Sequence, residues 1–156
     1  MPRETISVEV AAPCDAVFAL IHDYGRRLTW DSMLSEACLL DGAAAAGVGV
    51  RSLCVGNWRS LFLPMETRYV SFTPGRLAAV CLTNHPPFFA HFAATIRHDA
   101  LDSLSADHSR LTYIYFFQAK PRFAAALLEP IMNSRLKREV RGRLHALRSF
   151  FEGARL

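Results

Sequence analysis

The stretch ISVEVAAPCDAVFALIHDYGRRLTWDSML, Ile6 to Leu34, holds the signals that decide the fold. The segment Thr5 to Val10 alternates polar and apolar residues, which predicts a half-buried strand. Pro13 suits the first turn of a helix, and an apolar stripe at helical spacing follows it directly. We expect Gly25 to end that short helix and Trp30 to close a second, shorter one. The chain therefore opens as a strand followed at once by two short helices.

The middle of the chain has the pattern of an antiparallel sheet. Short runs rich in β-branched and aromatic residues alternate with turn sequences, the last of them the polar stretch Asp102 to Ser109. These connections leave no room for crossover helices, so neighbouring strands should run antiparallel in a strongly curved sheet. With the first strand, six further predicted strands make seven: Glu36–Leu40, Val48–Val55, Glu66–Phe72, Leu77–Thr83, Phe88–Asp99 and Arg110–Gln118.

The last third of the chain predicts one long amphipathic helix. Pro121 can start it, and Pro130 inside it predicts a bend or a break. A helix covers only a strip of a sheet that has a whole face to bury, so the sheet must wrap around it and leave an apolar cavity. The apolar positions that recur three to four residues apart are Phe123, Leu127, Ile131, Leu136, Val140, Leu144, Leu147 and Phe151.

Composition indicates one folded domain across residues 1–156. Hydrophobic residues make up 51% of the chain and charged residues 21%, which excludes disorder. The net charge is +4, and the basic excess falls in the final helix, where a solvated helix face is its ordinary explanation. No nucleic-acid-binding module is present, so we predict no nucleic-acid partner.

The cysteines and the termini predict a cytoplasmic protein. Four cysteines lie far apart without a CxxC spacing, so neither a zinc site nor a redox dithiol is indicated, and reduced, core-filling thiols are expected: Cys14, Cys38, Cys54 and Cys81. The N-terminus lacks the apolar region of a signal peptide, and no apolar run has the length of a membrane span. We predict no metal, no cofactor and no integral membrane segment.

The opening stretch resembles the START, polyketide-cyclase and pollen-allergen superfamily, known as SRPBCC proteins. The similarity continues through Gly47-Val48-Gly49, Thr73-Pro74-Gly75 and the terminal helix, so it covers nearly the whole chain. It implies an α+β helix-grip fold, in which a curved seven-stranded antiparallel sheet wraps around a long C-terminal helix beside a cavity for hydrophobic ligands. Members include lipid carriers and aromatase and cyclase enzymes. The positions that carry the resemblance are Ala12-Pro13, Val17-Phe18, Asp23 and Trp30-Asp31.

Alternation predicts which side chains would line such a cavity. On the last strand, Tyr113, Tyr115 and Phe117 share the face that excludes Arg110. Their two hydroxyls could orient a ligand oxygen, although a tyrosine satisfied within the core is the commoner arrangement. Phe92 occupies the core face of the preceding strand.

Two further candidates come from the helical segments. Ile131 belongs to the apolar stripe of the final helix. Trp30 either plugs the corner where the short helices meet the sheet or forms part of the pocket wall. The neighbouring Asp31 is expected to cap or tether backbone at this turn.

Glu66 and Arg68 stand two apart on one predicted strand and therefore share a face. If that face looks inward, the two charges need each other and could polarise a ligand or serve acid–base chemistry. If it looks outward, they belong to an ordinary surface pair. Alternation along this strand does not decide between the two.

The sequence favours binding over catalysis. It carries no GxSxG, no HExxH and no phosphate-binding glycine loop. The first hypothesis is that the cavity binds a hydrophobic small molecule such as a lipid, a quinone or a polyketide-like aromatic. The second is a cyclase or dehydratase that uses Tyr113, Tyr115, Glu66 or Arg68. The third is an interaction module whose basic helix docks on an acidic protein or membrane surface; a homodimer is also left open.

Overall fold

A computed structural model describes residues 1–58, 63–101 and 107–153, and its elements follow the predicted order. A short 3₁₀ turn, Arg122–Ala124, leads into the last helix. The elements are β1 (Arg3–Val10), α1 (Cys14–Ile21), α2 (Arg27–Trp30), β2 (Leu34–Leu39), β3 (Arg51–Gly56), β4 (Pro64–Thr73), β5 (Leu77–Leu82), β6 (Phe89–Ala100), β7 (Ser109–Ala119) and α3 (Ala125–Gly153).

The strands form one antiparallel sheet in the order β1-β7-β6-β5-β4-β3-β2. The sheet curls into a half-barrel, and α3 packs across β1 and β7 on its inner face. A bulge between Tyr69 and Ser71 shifts the alternation of β4, so Tyr69 and Phe72 both pack with Phe18 of α1 on that inner face. The predicted α+β helix-grip fold is confirmed.

The apolar stripe from which α1 was predicted is buried in the structure. Val17, Phe18, Leu20 and Ile21 are all buried. The helix ends at Ile21, however, before Gly25, because the chain turns at residues 22–26. In that turn the backbone N–H of Gly25 donates to the side chain of Asp23 at 3.1 Å.

The long helix differs from its prediction at its start. It runs unbroken through Pro130, since a proline removes only one backbone hydrogen bond and helical bonding continues on both sides. Phe123, Leu127 and Ile131 are 93%, 73% and 58% exposed. They lie away from the sheet because the inner face begins with Met132 and Leu136, which pack against the core.

Three further points follow from the described residues. The four cysteines are free thiols. In the described part of the chain, no helix is both long and apolar enough to cross a membrane. Of the predicted connection Asp102 to Ser109, residues 102–106 lie outside the described residues.

Candidate ligand-binding cavity

A cavity of about 350 Å³ lies between the inner face of the sheet and α3. Its volume falls at the lower end of the range of small-molecule sites, about 300–1,000 Å³. Alternate residues of β3 to β6 face it, as strand geometry requires, and α3 covers one side. The apolar wall includes Ile21, Met33, Leu63, Met65, Val80, Phe89, Phe92, Ile96, Met132, Leu136 and Val140.

A buried ionic cluster stands at the junction of α2 and α3. Arg27 and Asp31 are one helical turn apart, and Nε of Arg27 donates to Oδ2 of Asp31 at 3.0 Å. From α3, Nε of Arg143 lies 2.8 Å from the same oxygen. The Asp31 side chain is fully buried, whereas both arginines contribute to the cavity wall. We call these three residues the inner cluster.

Backbone contacts hold the inner cluster in place. Arg27 also donates from Nη1 to the carbonyl of Ile21 at 3.1 Å. The second carboxylate oxygen of Asp31 accepts the backbone N–H of Met33 at 3.1 Å, which is the tether expected of an aspartate at this turn. The guanidinium of Arg27 stacks over the ring of Trp30 at 5.0 Å. The cluster therefore fixes the corner of the fold as well as part of the cavity wall.

The inner cluster is ionised. Burial by itself would raise the pKa of Asp31, but Arg143 and Arg27 hold it below its ordinary value. Burial opposes the charges on the arginines, yet the pKa values of Arg27 and Arg143 stay above the ordinary one, with Asp31 among the groups that raise them. Two positive charges thus share one negative charge, and the cluster has a net charge of +1.

A chain of hydrogen-bonding side chains forms another part of the wall. The hydroxyl of Tyr69 lies 2.7 Å from Nδ1 of His22 and 2.9 Å from the hydroxyl of Tyr24. Burial, with the nearby charge of Arg27 and the ring of His98, lowers the pKa of His22 to about 3. Burial also raises the pKa of Tyr69. His22 is therefore a neutral imidazole and Tyr69 a neutral phenol, both able to exchange hydrogen bonds with a ligand oxygen.

Two predicted site residues lie on the cavity wall. Tyr113 of β7 and Phe92 of β6 both contribute to the lining. Burial raises the pKa of Tyr113, so its phenol is neutral. Their contact with a ligand stays a prediction.

Three other candidates are buried but stand behind the wall. Trp30 plugs the corner under Arg27. The hydroxyl of Tyr115 donates to Oδ1 of Asn133 at 2.9 Å, so it is satisfied within the protein. Phe117 is fully buried against Phe89. The structure gives these side chains packing roles around the cavity.

The remaining three candidates lie outside the cavity. Thr67 and Tyr69 take the inner phase of β4, which leaves Glu66 and Arg68 on the outer face. There Glu66 pairs with Arg51, and Arg68 is exposed. Ile131 is exposed on the solvent side of α3. Alternation left the face of Glu66 and Arg68 open; the structure places both on the outer face, where the ion partner of Glu66 is Arg51 and not Arg68.

The inner cluster as a unit was not predicted from the sequence. Arg143 follows Val140 by three residues and precedes Leu147 by four, which places it within the buried stripe of α3. Its position in the apolar repeat of α3 could have indicated that Arg143 is buried. Because the helix contains many arginines, this one did not stand out. Arg27 and Asp31 stand at the i,i+4 spacing typical of a helical ion pair. Among the described residues, no group of three or more His, Cys, Asp or Glu side chains could hold a metal ion.

Solved structures share this architecture. The Zhui aromatase/cyclase from a Streptomyces species superposes with a TM-score of 0.77 at 18% identity, covering 97% of this chain and 93% of that one. A START superfamily protein from Mycobacterium smegmatis gives a TM-score of 0.75 at 12% identity, covering 97% and 98%. The di-domain ARO/CYC protein BexL gives a TM-score of 0.72 at 14% identity. The match covers 96% of this chain and 46% of BexL. At these identities the likeness concerns the fold alone.

The sequence itself gives the family. No curated protein matches the chain at a significant level. The family described as polyketide cyclase/dehydrase and lipid transport matches over residues 1–152. That family supports hydrophobic-ligand binding or cyclase function in general terms. With a helix-grip fold, an apolar cavity under the last helix and a family match over nearly its whole length, the chain belongs to the polyketide cyclase/dehydrase and lipid transport family of START-like proteins.

Proposed function

We propose that the protein binds a compact hydrophobic small molecule in the cavity between the sheet and α3. The observation that carries this proposal is the apolar space of about 350 Å³, lined by Met65, Val80, Phe92 and Leu136 among others. A cavity that side chains leave unfilled costs stability, which a bound apolar ligand would restore. The family's association with cyclases and lipid transport supports the same function.

The size of the cavity narrows the ligand class. A space at the lower end of the small-molecule range favours a quinone or a short polyketide-like aromatic over a lipid with two long chains. The wall offers aromatic edges from Phe89 and Phe92, which suit an aromatic ring. The polar groups of His22 and Tyr69 would orient a ligand oxygen.

Native mass spectrometry of protein purified without organic solvent tests this proposal, together with titration of the neutral fluorophore N-phenyl-1-naphthylamine. We expect the fluorophore to bind the wild-type protein and to lose its site in Ala94→Phe, which fills the cavity from β6. Ala93→Phe is the matched control, because the neighbouring residue points to the other face of the same strand. Equal binding to both variants would contradict a site inside the cavity.

A cyclase or dehydratase activity is the second candidate. The chain formed by His22, Tyr69 and Tyr24 favours it, since a neutral phenol bonded to an imidazole can donate a hydrogen bond to a ketone oxygen of a polyketone held in the cavity and so polarise that ketone. The test is incubation with a poly-β-ketone thioester, with water loss followed by mass spectrometry. Turnover that Tyr69→Phe abolishes would favour an enzyme, whereas binding without turnover would favour a carrier.

A further inference from the structure

The cavity wall carries more positive than negative charge. Arg135 and Glu139 of α3 also line the cavity, and each has interactions of its own. Counted over the described residues of the wall and the inner cluster, there are three arginines and two carboxylates, which gives a formal sum of +1. The surplus is centred where Arg27 and Arg143 share the single carboxylate of Asp31.

The guanidinium of Arg143 has donors to spare. Its Nε lies against Asp31, and within the described residues no protein acceptor stands in hydrogen-bonding position to its two Nη groups. Arg27, by contrast, uses both Nε and Nη1 on protein acceptors. Since Arg143 lines the cavity, its terminal donors are available to a molecule that occupies it.

The need to neutralise Asp31 does not by itself account for Arg143. Arg27 by itself neutralises Asp31, so Arg143 adds a buried charge and its desolvation cost, and the described part of the chain gives it no carboxylate besides the shared Asp31. An acidic group on a ligand would supply that partner. The guanidinium fork can donate two parallel hydrogen bonds to a carboxylate or to a phosphate. Of these two anions, the carboxylate carries the single negative charge that balances the net charge of the inner cluster.

We infer that the ligand of this cavity has an apolar, aromatic body and a carboxylate, and that the carboxylate pairs with Arg143 beside Arg27. The inference rests on the proposed binding function and adds the chemical class of the ligand. The acidic group lies at the junction of α2 and α3, and the body extends along the apolar wall toward Met65 and Phe92.

The test compares two probes of nearly equal size and shape, the anion 2-naphthoate and its neutral amide, by isothermal titration calorimetry at neutral pH. We expect naphthoate to bind the wild-type protein about tenfold more tightly, the gain expected of a charged hydrogen-bonded pair. In Arg143→Met the ratio should fall to about one. Arg138→Met removes an exposed arginine of the same helix and should keep the preference.

The outcomes separate this inference from the proposed function. If the amide binds the wild-type protein as tightly as naphthoate does, the inference is overturned and hydrophobic binding stands. If neither probe binds, both fail. If Arg143→Met weakens both probes equally, Arg143 only holds the cavity together and the inference is again overturned. The wild-type comparison decides whether the cavity prefers a carboxylate even where the variant does not fold.

Discussion

Two arginine–carboxylate clusters lie on opposite faces of the same sheet, and they differ in their exposure to water. In the inner cluster, two arginines share a fully buried carboxylate. In the outer cluster, Arg51 bridges two carboxylates: it donates to both oxygens of Asp41 at 2.9 and 2.8 Å and also contacts Glu66. Its members keep exposed side-chain fractions of 30%, 64% and 23% for Arg51, Asp41 and Glu66.

The same kind of ion pair should therefore contribute differently to stability in the buried cluster and in the exposed one. Water screens the outer cluster, so losing one partner should cost little stability. The inner cluster has no water to replace a lost partner, and an unpaired buried charge costs about 3–5 kcal/mol. The inner cluster is therefore the part of the molecule where charge bears on both stability and ligand choice.

The largest effect should come from Asp31→Asn. This change leaves Arg27 and Arg143 without a countercharge and should lower the free energy of unfolding by about 3–5 kcal/mol. The matched control is Asp41→Asn, which makes the same chemical change in the outer cluster and keeps a residue type that tolerates the positive φ of 57° there. Urea unfolding measures both, and losses of similar size would contradict the difference between the two faces.

The histidines extend the comparison to pH. The pKa of His22 is lowered to about 3 and that of His98 to about 4, from an ordinary value of 6.5, and burial is the largest cause of both shifts. Below pH 6.5 these two histidines bind protons in the unfolded chain, whereas in the folded protein they stay neutral until the pH approaches their lowered pKa values. Stability is therefore full above this pH and falls by about 1.4 kcal/mol per pH unit for each histidine down to about pH 4.

Unfolding by urea at a series of pH values from neutral to about pH 4.5 measures this slope. His98→Leu should remove about half of the part that the two histidines contribute, and His91→Gln, which replaces an exposed histidine of the same strand, is the matched control. An identical slope in the wild-type protein and His98→Leu would show that His98 takes up its proton in the folded state.

Tyr69→Phe should have a smaller effect. It removes the hydroxyl that lies against His22 and Tyr24, and the buried imidazole nitrogen then lacks its partner, at about 1–3 kcal/mol. Ser35→Ala is the outer counterpart, because it removes an exposed hydroxyl that donates to the carbonyl of Gly56 at 3.0 Å, and it should change stability by about 0.5 kcal/mol or less. Thermal melts compare the two, and an equal loss would remove the distinction.

The smallest effect belongs to Glu66→Gln. Glu66 lies on the outer face, so the substitution should cost no more than about 1 kcal/mol and should leave the binding of N-phenyl-1-naphthylamine unchanged. Fluorescence titration checks this expectation. A clear loss of binding would mean that Glu66 reaches the ligand after all.

The sequence predicted the fold well because the fold depends on local periodicity. Alternation marked the strands, and the stripe from Val17 to Ile21 marked the buried side of α1. The phase of β4 could not be predicted, since polar and apolar residues occur in both phases. Its partners decide it: Thr67 and Tyr69 meet the interior, and Glu66 meets Arg51 of β3.

The candidate site was harder to predict than the fold. The pairing of Arg143 with Asp31 joins the last helix to the second, and no local pattern records such a contact. Ile131 shows the same difficulty, because its spacing suits the apolar stripe although the helix begins outside the core. A homodimer and a docking role for the basic helix remain predictions.

A crystal structure of the wild-type protein with 2-naphthoate would show directly whether the ligand pairs with Arg143. We expect the ring in the cavity against Phe92 and Met65, with the carboxylate within hydrogen-bonding distance of the Nη groups of Arg143. Naphthoate bound on the outer surface, or in the cavity with its carboxylate directed away from Arg143, would contradict this expectation.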